Sequence, residues 1–126
     1  MHKIANCTPH DIRLMWSDTP DQIDEHDIDQ WTRHVIPAPD GPPARIGEID
    51  LGSQPYEIDG LGTLQIELVE YSHVTDLPPQ QEGVLYVVSH MLAVGMPSRG
   101  DLLVTYRAVR NRNMTTIGCR LLARPV

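Results

Sequence analysis

The sequence has no phenylalanine and only two cysteines among its 126 residues. Leucine, isoleucine and valine must therefore fill the interior. Cys7 and Cys119 lie far apart, and neither belongs to a Cys-x-x-C pair or to a cysteine-histidine cluster at zinc-finger spacing. This pattern excludes a zinc site of that kind and favours two reduced, partly buried thiols over a disulfide.

Long apolar runs are also missing. No segment reaches the length of about 18 apolar residues that a membrane-spanning helix needs, and the first ten residues lack the apolar core of a signal peptide. We therefore expect an intracellular protein. A chain of 126 residues with 40% hydrophobic residues is long enough to form one domain with its own core.

Known catalytic and phosphate-binding signatures are absent as well. No G-x-G-x-x-G or Walker-type loop occurs, so capture of phosphate at a glycine-rich turn is not expected. Cys7 precedes His10 and Asp11, and Ser89 precedes His90, but neither group matches a nucleophile-base signature. We interpret Ser89 as a helix cap and assign no catalytic residue, while a hydrolase using His10 or His90 with Asp11 stays open as a less favoured alternative.

Charge is distributed unevenly along the chain. The total is −7, yet residues 84–126 carry six arginines against one acid, and residues 17–82 carry fifteen acids against two arginines. A negative total argues against binding to long nucleic acids, which requires an excess of Lys and Arg over a large surface. The local basic region suits one small anion instead.

The acidic, proline-rich insert at 17–43 is the least regular part of the sequence. Carboxylates at Asp18, Asp21, Asp24 and Glu25 are possible calcium ligands, but the glycine and the closing glutamate of an EF-hand loop are missing. We favour a solvated acidic loop and predict no metal. An apolar stripe at helical spacing indicates that part of the insert packs on the domain; its members are Ile23, Ile28, Trp31 and Val35.

Alternating apolar and polar residues predict short strands elsewhere. Residues 3–16 fit two strands around a turn at 8–11, which we interpret as a small hairpin or a kinked edge strand. Residues 53–63 fit a turn-rich connection, and residues 90–96 a short helix capped by Ser89. Further strands are predicted at 44–51, 64–71, 84–88, 102–106 and 114–122. The predicted fold is α+β: a small antiparallel β-rich single domain, residues 1–126, with one or two short helices.

Arginines near the end of the chain are the strongest binding candidates. A turn at 110–113 would gather Arg107, Arg110, Arg112 and Arg120 at one end of a hairpin. Guanidinium groups bind phosphate through paired donors and stack on bases, and Tyr86 and Tyr106 are candidates for aromatic stacking. The alternative is that these arginines solvate an exposed hairpin or pair with the acidic segment of the same or a neighbouring chain.

Three segments carry a resemblance to a known family: IANCTPHDIRLM at 4–15, PPQQEGVLYVVSHMLAVGMPSRGDLLV at 78–104 and IGCRLL at 117–122. Together they resemble small phage-encoded proteins that open with an N-x-T-P-H-x-I motif. Among these, the sequence looks like the first-described family of Thoeris anti-defence proteins. Those proteins are sponges that sequester cyclic nucleotide signals made by bacterial immune enzymes without degrading them.

The resemblance implies a homo-oligomer in the cytoplasm of the infected bacterial host, built from dimers and extending up to a hexamer. Pockets between subunits would hold a cyclic ADP-ribose isomer, and separate sites for cyclic oligonucleotides are also allowed. No cofactor, membrane or long nucleic acid is implied. The family's aromatic position falls on Tyr86 and its closing arginine on Arg120, whereas Thr116 stands where a second basic residue is expected.

The predicted ligand-binding residues are Tyr86, His90, Met91, Arg99, Tyr106, Arg107, Arg110 and Arg120. The function expected from them is sequestration of a small anionic nucleotide, without catalysis. An alternative from a different class is a phage accessory protein that binds another protein or has a structural role. In that alternative the acidic insert contacts a host partner and the arginines build a subunit interface.

Overall fold

The computed structural model describes all 126 residues, Met1–Val126. It contains eight strands and two short α-helices. The strands are β1 (Lys3–Asn6), β2 (Ile12–Met15), β3 (Thr32–Ile36), β4 (Arg45–Ile58), β5 (Gly62–Thr75), β6 (Val84–Val87), β7 (Leu102–Arg110) and β8 (Thr116–Ala123). The helices are α1 (Ile28–Trp31), which follows a 3₁₀ turn at Glu25–Asp27, and α2 (His90–Gly95).

Six of the strands form the main sheet, in the order β1-β6-β7-β8-β2-β3. The β1–β6, β6–β7 and β2–β8 pairs are parallel, and the β7–β8 and β2–β3 pairs are antiparallel. Strands β1 and β2 are neighbours in sequence but lie on opposite sides of the central β7–β8 pair. The interpretation of residues 3–16 as a hairpin is therefore wrong, although both strands and the turn between them are present.

The largest core cluster lies where α2 covers the sheet. Leu92 and Ala93 of α2 pack with Tyr86, Val88 and Leu102 of the sheet region, and all five are buried. Ser89 caps the helix, because its Oγ accepts a hydrogen bond from the Leu92 amide at 3.2 Å. The predicted helix and its cap are thus confirmed.

The acidic insert packs on the domain through a separate small cluster. Ile23 is buried against Met15 and Val109, with Ile28 and Trp31 packed beside them. This confirms that part of the insert docks on the body. Val35 does not continue the helical stripe, since the chain has already become β3 at that point.

Strands β4 and β5 form a two-stranded sheet of their own, which we call the arm (residues 45–75). The arm turns at Asp59 and Gly60, where Gly60 has a φ of 80°, and the Leu61 amide bonds to Ile58 O. The prediction that residues 53–63 form a turn-rich connection is wrong for 53–58, which belong to β4, and for 62–63, which belong to β5.

The α+β, β-rich single-domain class predicted from the sequence is confirmed. Both cysteines are free and buried, as predicted. Neither helix is long and apolar enough to cross a membrane.

Candidate functional site

A cleft of about 640 Å³ lies beside the middle of β7. Its walls come from the turn after β1, the start of β2, the end of β6 with the start of α2, and the facing segments of β7 and β8. Its polar lining residues are Thr8, His10, Asp11, Arg13, Ser89, His90, Thr105, Tyr106, Arg107 and Thr116. This volume lies in the range of small-molecule sites.

A buried asparagine fixes the turn that forms one wall of the cleft. Asn6 donates to His10 O at 2.7 Å and to Ile36 O at 3.1 Å, while its Oδ1 accepts from the Thr8 amide and hydroxyl. Asn6 therefore satisfies its own polar groups and ties the turn to the end of β3. The N-x-T-P-H sequence thus has a structural role: the hydrogen bonds of Asn6 hold the turn in which His10 lines the cleft.

The start of helix α2 contributes a further part of the cleft wall. His90 is its first residue, and His90 Nε2 lies 2.8 Å from Thr105 O of β7, a distance at which a protonated ring nitrogen donates. This contact ties the start of α2 to the middle of β7. His90 remains exposed and lines the cleft.

Arg107 and Tyr106 form the basic rim of the cleft. The Arg107 guanidinium lies over the Tyr106 ring, with Cζ 4.9 Å from the ring centroid, and both side chains are exposed. No carboxylate lies within ion-pair distance of Arg107, so its charge is available to an anion. The pair thus offers a cation next to a flat aromatic face.

The backbone of Arg107 is unusual. Its φ is 60°, a left-handed conformation inside β7, where neighbouring residues are extended. Left-handed conformations cost non-glycine residues about 1 kcal/mol or more, and such strain is concentrated at functional sites. The conformation also interrupts the strand alternation, because Tyr106 and Arg107 are both exposed while Ala108 is half-buried.

The floor of the cleft is formed where β8 crosses close to β2. A Cβ on Gly118 would lie 2.8 Å from Arg13 O and from Met15 Cε, so only glycine allows this approach. Cys119 lies beside it and is 3% exposed. Burial raises the pKa of the Cys119 thiol, so the thiol stays protonated and is a weak nucleophile near neutral pH.

Three of the eight predicted binding residues line this cleft: His90, Tyr106 and Arg107. Tyr86 does not, because its ring is 5% exposed within the core and its hydroxyl bonds to Pro79 O at 3.3 Å. The prediction that a base stacks on Tyr86 is therefore wrong. Met91 and Arg110 are exposed but lie outside the cleft.

Two of the predicted phosphate-binding arginines have internal partners instead. Arg99 forms a paired contact with Asp101, at 2.8 and 2.9 Å, and also donates to Pro78 O. Arg120 binds the Asp21 carboxylate and donates to Thr19 O at 2.8 Å. Their assignment as phosphate ligands is corrected: Arg99 fixes the loop after α2, and Arg120 anchors the acidic insert.

The acidic insert forms a second ion pair with an arginine of the C-terminal region, between Asp24 and Arg112. Arg112 lies 3.4 Å from Asp24, whose carboxylate also caps the 3₁₀ turn by accepting from the His26 amide. That hydrogen bond lowers the pKa of Asp24 below its usual value. The alternative in which arginines pair with the acidic segment of the same chain is therefore observed for Arg112 and Arg120.

Metal and nucleophile sites are not assembled in the structure. No three His, Cys, Asp or Glu side chains come together as a metal-binding group. Cys7 is buried in the core away from the cleft, and burial raises the pKa of its thiol. Asp11 accepts a hydrogen bond from the Ala38 amide at 2.8 Å. His10 and Asp11 both line the cleft, but the Asp11 carboxylate already accepts a hydrogen bond from the backbone amide of Ala38.

The sequence did not predict that the first turn and the last strands meet in one cleft. The predicted binding residues do not include His10, Thr8 or Arg13, and Thr116 stands where the resemblance expects a basic residue, yet all four line the cleft. The signal that pointed to them was the N-x-T-P-H motif, whose buried asparagine fixes the turn. Comparison with protein-family models, with curated proteins and with solved structures gives no match to this chain.

Proposed function

We propose that the cleft binds one small phosphate-bearing nucleotide and holds it without turnover. The observation that carries the proposal is the unpaired Arg107 guanidinium, stacked on Tyr106 at the rim of a cleft of about 640 Å³. A phosphate needs a cation with directed donors, and a base needs a flat face. Arg107 and Tyr106 supply these two features side by side.

The resemblance of the N-terminal and C-terminal segments directs the choice of ligand to cyclic ADP-ribose isomers. On this proposal the protein is a phage sponge for an immune signal, active in the cytoplasm of the infected host. His10 and His90 also line the cleft and supply further donors. A second copy of the chain would help to enclose the ligand, which slows its escape.

The test is a thermal-shift and calorimetric titration of the intact protein with cyclic ADP-ribose isomers. We expect binding by the parent and loss of at least about tenfold in affinity for Arg107→Ala, equivalent to one charge-assisted contact. Arg110→Ala is the matched control, because Arg110 is exposed on the same strand but lies outside the cleft. Equal affinities for the two variants would contradict the assignment of Arg107.

Turnover is tested in the same samples. After incubation and heat denaturation, a sponge releases intact ligand in a stoichiometric amount, whereas a hydrolase releases products at substoichiometric protein. Recovered products would establish the enzyme alternative, and His10→Ala and His90→Ala would then identify its base. A protein that depletes none of the isomers before heating would contradict nucleotide binding altogether.

A further inference from the structure

The cleft contains an acidic group as well as basic ones. Asp11 immediately precedes β2, is exposed, and lines the same cleft as Arg107. It is the only carboxylate among the lining residues. A cleft proposed to hold an anion thus also presents a negative charge, and the position of that charge bears on which ligands fit.

One oxygen of the Asp11 carboxylate is anchored by the backbone. Oδ1 accepts a hydrogen bond from the Ala38 amide at 2.8 Å, which ties Asp11 to the segment after β3. Oδ2 accepts no hydrogen bond within the chain. An ionised carboxylate has about four acceptor positions and no donor. The Asp11 side chain is therefore anchored and still able to accept hydrogen bonds from a ligand.

No basic side chain neutralises Asp11. None of the ion pairs within the chain includes it. Arg13, the nearest arginine in sequence, donates instead to Thr32 Oγ1 at 2.9 Å and lies 3.9 Å from Asp29. Arg107 belongs to β7, which β8 separates from β2 by two strand spacings, roughly 10 Å across the sheet. The cleft therefore holds two separate unpaired charges of opposite sign.

These two charges suit different parts of one ligand. A phosphate beside Asp11 would meet a like charge, so the phosphate is confined to Arg107. The base is assigned to the Tyr106 ring, on which Arg107 is stacked, and this leaves the sugar for Asp11. In dinucleotide-binding folds an acidic side chain binds the ribose 2′-hydroxyl, whereas an arginine accommodates a phosphate there. The chemistry at Asp11 is thus that of a ribose site.

We propose that Asp11 accepts a hydrogen bond from a free ribose hydroxyl of the ligand and that its charge excludes ligands with a phosphate at that hydroxyl. The inference rests on the proposed function, because it assigns a selective contact within the same cleft. It narrows the ligand class to nucleotides with an unphosphorylated ribose at this end of the cleft. The role of Asp11 in it is binding and requires no catalysis.

Calorimetric titration of the intact protein tests the hydroxyl contact, using the cyclic ADP-ribose isomer that the parent binds most tightly. Each free ribose hydroxyl of that isomer is replaced in turn by hydrogen. We expect one position at which this replacement weakens binding to the parent about tenfold, the loss of one hydrogen bond to a charged acceptor. The titrations are made at about pH 8, where histidine side chains carry little charge, so that His10 does not offset Asp11.

A phosphate at the same hydroxyl tests the exclusion. It should weaken binding to the parent at least about tenfold, because two like charges meet. In Asp11→Asn, the amide oxygen can still accept from the Ala38 amide, and the amide nitrogen offers a donor in place of an acceptor. We therefore expect Asp11→Asn to bind the phosphorylated analogue at least about tenfold more tightly than the parent does. It should bind the hydroxyl and hydrogen forms with affinities within about twofold of each other.

Asp40→Asn is the matched control. Asp40 is exposed, forms no ion pair and lies outside the cleft, two residues after Ala38. The substitution removes the same charge and should leave the selectivity of the parent unchanged. Circular dichroism and urea denaturation check that both variants fold like the parent. An analogue with hypoxanthine in place of adenine tests the other donor of the ligand, and its affinity should change by the same factor in the parent and in Asp11→Asn.

The outcomes separate this inference from the proposed function. A parent that binds none of the isomers contradicts both. A parent that binds an isomer but does not distinguish its hydroxyl, hydrogen and phosphate forms contradicts only the role of Asp11. Equal selectivity in Asp11→Asn and Asp40→Asn would also overturn that role. A change of affinity that depends on Asp11 only for the hypoxanthine analogue would place the base beside Asp11 and contradict the ribose assignment.

Discussion

At Arg107 an unpaired charge and an unfavourable backbone conformation occur in the same residue. Glycine adopts a φ of 60° without strain, whereas β-branched residues are strongly disfavoured there. We therefore expect Arg107→Gly to keep the free energy of unfolding within about 0.5 kcal/mol of the parent, because relief of strain offsets the added freedom of the unfolded chain. Arg107→Val should lose more than about 1 kcal/mol.

Urea denaturation of both variants checks this expectation. Ligand titration should show that both have lost nucleotide affinity, since neither retains a guanidinium. If Arg107→Val were as stable as Arg107→Gly, the left-handed conformation would not persist in solution. If Arg107→Gly kept full affinity, the side chain would not contact the ligand.

Asp101 carries a pH-dependent contribution to stability. Its carboxylate is 4% exposed, and the paired contact from Arg99 lowers its pKa below the usual value. A lowered pKa in the folded state stabilises the fold above the unfolded pKa of about 3.9, and this contribution is lost as the pH falls through the folded value. Asp101→Asn leaves Arg99 without its partner, at a cost of about 3 kcal/mol near neutral pH.

The measurement compares urea denaturation of the parent and Asp101→Asn at about pH 7 and about pH 3. The parent should lose stability on acidification, and the difference between the two proteins should shrink. A difference that stays constant with pH would show that the charge of Asp101 is not the stabilising feature. Asp76→Asn is a suitable control, because Asp76 is exposed and forms no ion pair.

Thr116 offers a gain-of-function test of the binding proposal. It lines the cleft that contains Arg107, at the position where the resemblance places a basic residue. Thr116→Lys adds a second cation to the cleft, and an interaction of about 1 kcal/mol with a nearby phosphate would tighten binding about fivefold. Calorimetry checks this. Asn113→Lys, on the adjacent turn outside the cleft, should change affinity less, and an equal gain would indicate a long-range charge effect.

The sequence shows the chemical character of each side chain, but it does not show whether that side chain is buried or which partner it has. The aromatic side chain of Tyr86 suits it to stacking, but Tyr86 is 5% exposed and Val87 beside it is 0% exposed. The charge of Arg120 suits it to phosphate, but its partner Asp21 is 99 residues away in sequence. Partners that distant leave no local pattern, whereas the Ser89 cap is set within three residues and was predicted correctly.

At the scale of elements, β8 and β2 approach each other closely at Gly118. Gly118→Ala would place a methyl group 2.8 Å from the backbone oxygen of Arg13, so the two strands must separate. We expect a loss of about 2 kcal/mol in the free energy of unfolding, as for other overpacked sites. Gly41→Ala is the matched control, because nothing lies within 4 Å of its added methyl group and it should be neutral or slightly stabilising.

Thermal and urea denaturation of both glycine variants distinguish local crowding from a general effect of alanine. Gly118→Ala should also weaken ligand binding, because the floor of the cleft shifts with β8. A stable Gly118→Ala protein would mean that the two strands lie further apart than the structure describes.

The positions of most strands could be predicted from the sequence, but the pairing of those strands in the sheet could not. Period-two alternation located most strands, and Leu64, Ile66 and Leu68 correctly indicated a strand with one apolar side. Register between β1 and β6 depends on contacts across about eighty intervening residues, which no local pattern specifies. The strands of the arm are longer than the sequence predicts, because Gly52 and Pro55 are typical turn residues, yet Gly52 lies next to a bulge and Pro55 on a two-stranded ribbon.

For the whole molecule, the body should tolerate a cut at the tip of the arm. Residues 59–61 are exposed and far from the core clusters. Limited proteolysis of the protein should cleave there first. The two fragments should elute together, because β1 and β2 from the first are paired with β6 and β8 from the second.

Gel filtration under native conditions and a denaturing gel check this result. Two bands on the gel with one native peak are expected. Separation of the fragments without denaturant would show that the arm holds the main sheet together.

The pairing of β1 with β6 also determines the order in which the protein acquires its structure. Lys3–Asn6 cannot complete its pairing until Val84–Val87 has been synthesised, so the first strand leaves the ribosome well before its neighbour exists. The arm, by contrast, is a local hairpin that closes within microseconds once both strands are available. Its formation shortens the chain path between β1 and β6, which lowers the entropic cost of their later meeting. The segment that projects from the finished domain is therefore also one that helps to assemble it.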